Sequence, residues 1–346
     1  MDHLDPSALP ERFASVAELD EFQTRPSRAL VDDLARVPGD LMILGVAGKM
    51  GPTLARLAKR AAPGKRVIGV ARFSDAGVRV ALHAAGVETL ACDLLDRAQV
   101  AALPEVENVV FAAGHKFGAS GNPALTWAMN THVPALVAER FAASRIVAFS
   151  TGNVYGLSRV GERGASETTP LAPVGEYAQS CLGRERMFEY FSAKHGTAGR
   201  IVRLNYAIDM RYGVLVDIAT KIDRGEPVDV TMGHANVIWQ GDANTQVLRA
   251  LAHCTSPTTA INCTGPEAMS IRQAAIDLGE RMGRPVRITG READTALLSD
   301  TAAATALFGP PVVPLPRLLD WVADWVGRGG QSFGKPTKFE VRDGTF

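Results

Sequence analysis

The sequence predicts an α/β fold in which a doubly wound parallel sheet is followed by a smaller, mostly helical C-terminal lobe. Short apolar or β-branched runs alternate with helical patterns over residues 40–205, and this alternation is typical of right-handed βαβ units. The first run also ends in a glycine-rich turn at 45–51, directly before a helical pattern. Beyond residue 205 the pattern is less regular and richer in helix, which indicates the second lobe.

The predicted strands and helices follow one another in the order that βαβ units require. Strands are predicted at 41–45, 66–71, 88–91, 109–113, 145–150 and 200–204. Helices are predicted at 52–62, 75–85, 123–143 and 177–194. These elements make residues 40–205 the sheet domain.

Three further segments complete the predicted organisation. Residues 1–39 form an N-terminal extension, in which Ser27 precedes a capped amphipathic helix. Residues 206–326 form the lobe, which is interleaved with the last strands of the sheet. Its helices are predicted at 212–224, 242–254, 270–282 and 316–326, and a strand at 260–264. Residues 327–346 are glycine-rich and form either a loose tail or an arm that orders on a partner.

Composition and charge exclude several classes of partner. The chain has 346 residues with 37 Lys and Arg against 37 Asp and Glu, so it has no net charge to attract nucleic acid or an anionic membrane. A small molecule held locally is the expected partner. The four cysteines lack metal-ligand spacing, so no metal is expected. No apolar run approaches the roughly 18 residues that span a membrane, and the N-terminal residues MDHLDPSALPERF lack the apolar region of a signal peptide, so we expect a cytoplasmic protein.

The turn at 45–51 has the residues that a phosphate-binding loop needs. Gly45, Gly48 and Gly51 follow the first strand with GxxGxxG spacing and enclose Lys49 and Met50. Glycine permits the positive φ of a tight turn and lets a pyrophosphate approach the backbone. The following helix offers unpaired N–H groups and a partial positive charge. The turn therefore predicts a Rossmann-type sheet that binds a nicotinamide dinucleotide; a glycine-rich turn without a ligand is the alternative.

The end of the second strand distinguishes the two nicotinamide dinucleotides. An acidic side chain there accepts a hydrogen bond from the ribose 2′-OH of NAD, whereas a basic one accommodates the 2′-phosphate of NADP. The sequence has Ala71 at the acidic position and Arg72 after it. This favours NADP and leaves NAD open. The alternative interpretation of Arg72 is a solvated residue at a strand end.

Further motifs occur in a fixed order after the later strands. They are ACDLL at 91–95, FAAG at 111–114, STGNVYG at 150–156, EY at 176–177, RLN at 203–205 and NCTG at 262–265. Together, over roughly residues 41–275, they resemble the NAD-dependent epimerase/dehydratase family, also called the extended short-chain dehydrogenase/reductases.

The resemblance implies roles for individual residues. Thr151 takes the place of the residue that hydrogen-bonds the reacting substrate oxygen, and Tyr177 takes the place of the catalytic acid/base. Helices 123–143 and 177–194 are those that pair in dimers of the family, so a homodimer is implied. The implied cofactor contacts lie in the glycine turn, at the strand ends and in the segments that follow: Gly45, Gly48, Lys49, Met50, Gly51, Asp93, Leu94, Ala112, Ala113, Gly114, Lys116 and Asn130.

Cys181 departs from the family pattern, in which a lysine stands four residues after the tyrosine. Positions i and i+4 share a helix face, and in the family the lysine holds the nicotinamide ribose and lowers the tyrosine pKa. A thiol supplies no positive charge for this purpose. Three interpretations are open: another cation replaces the lysine, the tyrosine acts in its neutral form, or redox chemistry is lost. For the first, Lys116 is the leading candidate and Arg184 the second. Cys181 itself is then a small space-filling residue or a redox-sensitive thiol.

The expected function is that of an NADP- or NAD-dependent oxidoreductase, epimerase or dehydratase acting on a sugar, a sugar acid or a nucleotide sugar. Tyr177 would move the hydroxyl proton and Thr151 would orient the oxygen, with Cys181 at the lysine position. The alternative is a non-catalytic dinucleotide-binding or sensor protein of the same fold.

Substrate contacts are expected from the lobe, at Asn205, Arg211, Trp239 and Gln240. The planar fork of Arg211 would suit a carboxylate or phosphate. Trp239 would otherwise belong to the lobe core, and Arg211 would otherwise be a surface charge.

Overall fold

The centre of the molecule is a seven-stranded parallel sheet. The computed structural model describes residues 3–116 and 121–345. The sheet strands are β1 (Leu41–Leu44), β2 (Val67–Ala71), β3 (Glu88–Ala91), β4 (Asn108–Phe111), β5 (Arg145–Thr151), β6 (Gly199–Leu204) and β7 (Thr259–Cys263). Their order is β7-β6-β5-β4-β1-β2-β3, and all neighbouring pairs are parallel. Because the strand order reverses between β1 and β4, the carboxyl ends of these strands border the crevice where α/β proteins bind ligands.

The helices of the molecule cover both faces of this sheet or pack in the C-terminal lobe. In the described chain they are α1 (Val16–Gln23), α2 (Arg28–Arg36), α3 (Gly51–Ala61), α4 (Ala76–Ala84), α5 (Arg97–Ala101), α6 (Pro123–Trp127), α7 (Val133–Arg140), α8 (Gly175–His195), α9 (Val214–Asp223), α10 (Gln240–Arg249), α11 (Ile271–Met282), α12 (Ala302–Phe308) and α13 (Leu315–Gly327). One apolar core joins the sheet to α2, α3 and α10, and a second joins its other face to α5, α7 and α8. The predicted doubly wound Rossmann-type fold is confirmed.

A third apolar core belongs to the C-terminal lobe. Helices α9, α11 and α13 pack around Trp239 and Trp321, whose ring centroids lie 5.4 Å apart. The N-terminal extension divides between two cores, since α1 buries Leu19 and Phe22 in the lobe while α2 packs against the sheet. The extension therefore links the lobe to the sheet.

The structure differs from the predicted elements at one long helix and at several short segments. The helix predicted over 123–143 is interrupted by a π-helical turn, Ala128–His132, which carries Asn130; π turns inside helices are frequent at functional sites. Helices α5 and α12 have 5 and 7 residues. Segments this short carry too few turns for a hydrophobic period to be recognised, and they were not predicted.

The end of the chain packs along its own lobe. We call residues 331–345 the C-terminal arm. Phe333 donates its N–H to the carbonyl of Arg211 at 3.0 Å, and Thr337 donates its N–H to Asp217 at 2.7 Å. Phe339 is buried, and a side chain on Gly344 would overlap the backbone at Val174. Of the two forms predicted for this segment, a loose tail is wrong, because these contacts bind it to the lobe.

Candidate active site

A cavity of about 640 Å³ opens at the carboxyl ends of β1 and β4. Its walls come from the glycine turn, the β4 loop, the end of β5, helix α8 and the C-terminal arm. The lining residues are Gly45, Ala47, Gly48, Lys49, Met50, Gly51, Asp75, Ala112, Ala113, Gly114, His115, Lys116, Phe149, Ser150, Tyr177, Arg184, Phe333 and Lys335. The cavity thus lies in the crevice that the strand order predicts.

The three glycines of the turn have different physical roles. Gly45 has a φ of 89°, and a Cβ there would lie 2.6 Å from the N atom of Ala113. A Cβ on Gly51 would lie 2.2 Å from the carbonyl oxygen of Val46. These two glycines are therefore required by packing alone. A Cβ on Gly48 would contact only the carbonyl oxygen of Gly45, at 3.2 Å, so this glycine keeps the cavity open.

A side cavity of about 240 Å³ continues from the glycine turn toward β2 and β3. Arg72, Asp93 and Leu94 line it, together with Ala112, Ala113 and Gly114. Arg72 is exposed at its rim. The Asp75 carboxylate accepts the N–H of Gly77 at 2.8 Å and so caps α4. This cavity is where the sequence predicts the adenosine part of a dinucleotide.

Asn130 is fully buried behind the cavity wall. Its Oδ1 accepts the N–H of His115 at 2.8 Å and a guanidinium N–H of Arg184 at 2.8 Å, while its Nδ2 donates to the His115 carbonyl and to Ser180. Asn130 is not among the residues that line the described cavities. The geometry makes it a positioning residue for the β4 loop, rather than the direct cofactor contact that was predicted.

Arg184 brings a buried positive charge to the cavity. Besides its bond to Asn130, it donates to the carbonyl of Phe149 at 2.8 Å. A Cβ on Gly114 would lie 2.6 Å from the Nη2 atom of Arg184, so the guanidinium packs directly on the β4 loop. Arg184 lies one helical turn beyond Cys181 on α8, and this close approach is possible because Gly114 has no side chain.

Thr151, Tyr177 and Cys181 are brought together at the end of β5 and the start of α8. The Tyr177 hydroxyl is hydrogen-bonded to both Thr151 and Cys181. Burial, and then the nearby Cys181, raises the pKa of Tyr177 well above its ordinary value, while Arg184 acts in the opposite direction. Lys116 lies on the other side of the tyrosine, with its Nζ 5.6 Å from the ring centroid.

Cys181 does not reach the described cavities. It is fully buried in a small apolar cluster with Val154, Tyr155 and Ala165. Burial raises the pKa of its thiol. A reactive cysteine needs exposure and a lowered pKa, so the structure favours the space-filling interpretation of Cys181 over the redox-sensitive one.

A smaller cavity of about 160 Å³ lies on the far side of Tyr177. Thr151, Asn153 and Asn205 line it, with Tyr206 and Tyr212 from the lobe and Thr337 from the C-terminal arm. Lys49 and Lys116 line both this cavity and the larger one. Of the four predicted substrate contacts, the structure places Asn205 here.

The other three predicted substrate contacts lie outside these cavities. Arg211 is held by Asp209 at 2.7 Å and by Asp20 of the N-terminal extension at 2.9 Å. Trp239 packs edge-on against Trp321 in the lobe core, and Gln240 donates to Thr53 at 3.2 Å. Their assignment to the substrate is not supported, because Arg211 and Gln240 join the extension, the lobe and the sheet, and Trp239 belongs to the lobe core.

Sequence reasoning missed the contribution of the C-terminal arm. Phe333, Lys335 and Thr337 reach the cavities from a segment more than 100 residues away from the other lining residues of the lobe. The two lysines of GKPTK at 334–338 are the sequence feature that could have indicated a binding role for this segment.

Across residues 3–116 and 121–345, no group of His, Cys, Asp or Glu is arranged to hold a metal ion.

A model of the NAD dependent epimerase/dehydratase family matches residues 41–231. The chain belongs to this family. Comparison with curated proteins gave no match.

The part of the chain that the structure describes contains no helix long and apolar enough to cross a membrane.

Solved structures of the family share the fold. The UDP-glucose 4-epimerase of Thermus thermophilus, in complex with NAD, has a TM-score of 0.69 and 20% identity over 84% of this chain and 99% of that one. The UDP-glucuronic acid 4-epimerase of Bacillus cereus, also with NAD, has a TM-score of 0.70 and 17% identity over 84% and 99%. The dTDP-glucose 4,6-dehydratase of Streptomyces venezuelae has a TM-score of 0.70 and 20% identity over 84% and 97%.

Family membership indicates a nicotinamide dinucleotide as the cofactor, and the cavity fits one. Gly48 leaves room beside the backbone, and α3 begins at Gly51 without a side chain capping its N-terminal N–H groups. Such groups bind the phosphates of dinucleotides. The glycine turn would hold the pyrophosphate, and the side cavity lined by Asp93 and Leu94 would hold the adenosine.

Proposed function

We propose that this protein is an NAD(P)-dependent oxidoreductase, epimerase or dehydratase that acts on a hydroxyl-bearing carbon of a small sugar-like polyol. The observation that carries the proposal is the contact of the Thr151 and Tyr177 side chains between two cavities. One cavity is lined by the glycine turn and the other by polar residues of the lobe. A substrate hydroxyl in the smaller cavity would meet an acid/base pair on the side facing the cofactor.

Each residue of the pair has a defined task. Tyr177 takes the proton from the substrate hydroxyl or returns it, and Thr151 donates a hydrogen bond that orients the oxygen. When bound, the dinucleotide would accept or supply the hydride. Asn205 lines the same small cavity and offers an amide to a neighbouring hydroxyl.

Arg184 supports an active tyrosine despite the absence of the family lysine. A cation near a tyrosine favours the phenolate and lowers the pKa, and Arg184 opposes the effect of burial on the pKa of Tyr177. It lines the larger cavity, and it is hydrogen-bonded to Asn130. Arg184 therefore ranks ahead of Lys116, which the sequence placed first, as the replacement for the lysine.

The Tyr177→Phe variant tests the proposal. A panel of polyols, sugars and sugar acids is screened with NAD and NADP, by absorbance of the reduced dinucleotide and by NMR of the sugar. We expect Tyr177→Phe to lower kcat by about a hundredfold to ten-thousandfold, the usual contribution of a general acid or base. Tyr190→Phe is the control, because Tyr190 is an exposed tyrosine of the same helix. Unchanged turnover in Tyr177→Phe would rule out the proposal.

A second candidate is a non-catalytic dinucleotide-binding protein. It is favoured by Cys181, which fills apolar space where the family carries its lysine. This candidate predicts cofactor binding without turnover of any member of the panel.

Two further expectations accompany the proposal. Arg72 at the rim of the side cavity favours NADP over NAD through its charge. A homodimer through α6, α7 and α8 is supported by two exposed aromatic residues, Trp127 at 37% and Tyr190 at 57% exposure.

A further inference from the structure

Lysines from three separate parts of the chain converge on the candidate site. Lys49 comes from the glycine turn, Lys116 from the β4 loop and Lys335 from the C-terminal arm, and all three line the larger cavity. Lys338 of the arm also lies near enough to repel Lys116. In a chain with no net charge, such a concentration of one sign at a cavity is a local feature that favours an anionic ligand.

When Lys49 is protonated, the surrounding protein compensates its charge only in part. Its Nζ lies 2.8 Å from the centroid of the Tyr212 ring. The carboxylates that attract Lys49 belong to Asp209 and Asp217. Asp209 is bound to Arg211 at 2.7 Å, and Asp217 accepts the N–H of Thr337 at 2.7 Å. Burial, with repulsion from Lys116, lowers the pKa of Lys49 to about 6, and burial lowers that of Lys116 to about 8. An added anion would oppose both shifts.

The lysines stand beside the reacting groups rather than at the adenosine end. Lys49 and Lys116 also line the smaller cavity, together with Thr151 and Tyr177. Lys335 is held at the larger cavity because its neighbours Phe333 and Thr337 are anchored to Arg211 and Asp217. An anion bound between Lys49 and Lys116 in the smaller cavity would lie beside Thr151 and Tyr177, and it would therefore belong to the substrate.

The volume of the smaller cavity favours a compact substrate. At about 160 Å³ it lies below the roughly 300–1,000 Å³ of pockets that hold drug-sized ligands. This volume suits a compact polyol better than a nucleotide sugar.

We propose that Lys49, Lys116 and Lys335 form a binding site for the anionic group of the substrate, which is a compact polyol bearing a carboxylate or a phosphate. This inference rests on the function proposed above, and it names the substrate class of that site.

The test measures binding in the Tyr177→Phe background, so that it does not depend on turnover. Calorimetry of the cofactor-loaded protein compares gluconate, glucuronate and glycerol phosphate with glucose, sorbitol and UDP-glucuronate. We expect an acid or a phosphate ester to bind at least tenfold more tightly than the neutral polyols and UDP-glucuronate. The two acids and glycerol phosphate separate a carboxylate ligand from a phosphate ligand.

Lysine variants then locate the site. Lys49→Gln and Lys335→Gln are expected to weaken binding of the anionic ligand about tenfold. They should weaken binding of the cofactor by a smaller factor, because both lysines also line the cavity that would hold the dinucleotide. Lys194→Gln, a change of the same chemistry at the far end of α8, is the control and is expected to change neither. Both cavity variants are compared with the parent protein by thermal unfolding, so that a folding defect is recognised.

Several outcomes would overturn the inference. Three concern the ligands: equal binding of neutral and anionic polyols, no binding of the anionic probes, or tighter binding of UDP-glucuronate. The fourth is that the lysine variants weaken binding of the cofactor and leave binding of the anionic ligand unchanged. The last result would assign the lysines to the dinucleotide. Failure of the proposed function is seen separately, as unchanged turnover in Tyr177→Phe, and it leaves the binding results interpretable.

Discussion

Arg184 is the residue that we propose in place of the family lysine, at a different position on the same helix. The family places its lysine four residues after the tyrosine, whereas Arg184 stands seven residues after Tyr177, again on the same helix face. Its longer, planar side chain reaches back to Asn130 and Phe149. The guanidinium keeps its charge when it is buried and satisfies several acceptors at once.

Replacing Arg184 by Met tests this role. The loss of charge-assisted hydrogen bonds, each worth roughly 1.5–3 kcal/mol, is expected to lower kcat/KM by about ten- to a hundredfold. Because Arg184 lowers the pKa of Tyr177, its removal should raise that pKa. The limb of the pH–rate profile that needs the tyrosinate should then move to higher pH.

Two further variants make the Arg184 result specific. Arg184→Lys keeps the charge, so its pH profile should be shifted less than that of Arg184→Met. Arg186→Met removes an exposed arginine of the same helix, which pairs with Glu189, and should leave the profile unchanged. A fall in activity without a shift in the pH profile would mean that Arg184 only supports the fold.

At the scale of the elements, a buried polar network joins α8 to three strands of the sheet. Glu185 on α8 pairs with Arg203 on β6 at 2.7 Å and accepts a hydrogen bond from Ser150 on β5. Arg203 donates to Tyr155 at 2.7 Å, and Tyr155 donates to Asn262 on β7 at 2.9 Å. Because Ser150 precedes Thr151, this network fixes the end of β5 that carries the candidate catalytic threonine.

Glu185→Ala should therefore be strongly destabilising. It leaves the Arg203 guanidinium, 4% exposed in its side chain, without its counter-charge, and breaking a buried pair in this way costs about 3–5 kcal/mol. Urea unfolding measures the loss in the free energy of unfolding. Glu189→Ala on the same helix should have a much smaller effect, because exposed ion pairs contribute little. Similar losses in the two variants would mean that the buried network adds no stability.

At the scale of the whole molecule, both ends of the chain hold the lobe to the sheet. Asp20 of the N-terminal extension pairs with Arg211 at 2.9 Å. Phe333 of the C-terminal arm donates its N–H to the carbonyl of the same arginine. Helices α6, α7 and α8 lie on the other side of the sheet, where Trp127 and Tyr190 are exposed. That surface is where the homodimer is proposed.

The Tyr190→Asp variant tests the dimer. A buried carboxylate at a symmetric interface is unfavourable because it loses its water without gaining a partner. The variant is expected to run as a monomer in light scattering coupled to gel filtration, where the wild type runs as a dimer. Val80→Asp, at an exposed apolar residue on α4, is the control and should stay dimeric. A monomeric wild type would contradict the proposal.

Local patterns of residues are enough to predict the fold and the centre of the candidate site. The alternation of strands and helices, the glycine turn and the ordered motifs predicted the sheet, and they placed Thr151 and Tyr177 at adjacent elements. These features depend on local spacing: a turn needs glycine at set positions, and strand ends of a parallel sheet meet at one edge.

Which charges reach the cavity depends on the packing of the folded chain. It directs Arg211 and Gln240 into links between segments, buries Trp239 in the lobe, and brings Lys335 of the arm to the site. It also selects Arg184 over Cys181 as the polar group of α8 at the cofactor cavity. These outcomes depend on packing between segments far apart in the chain, which no local pattern of residues encodes.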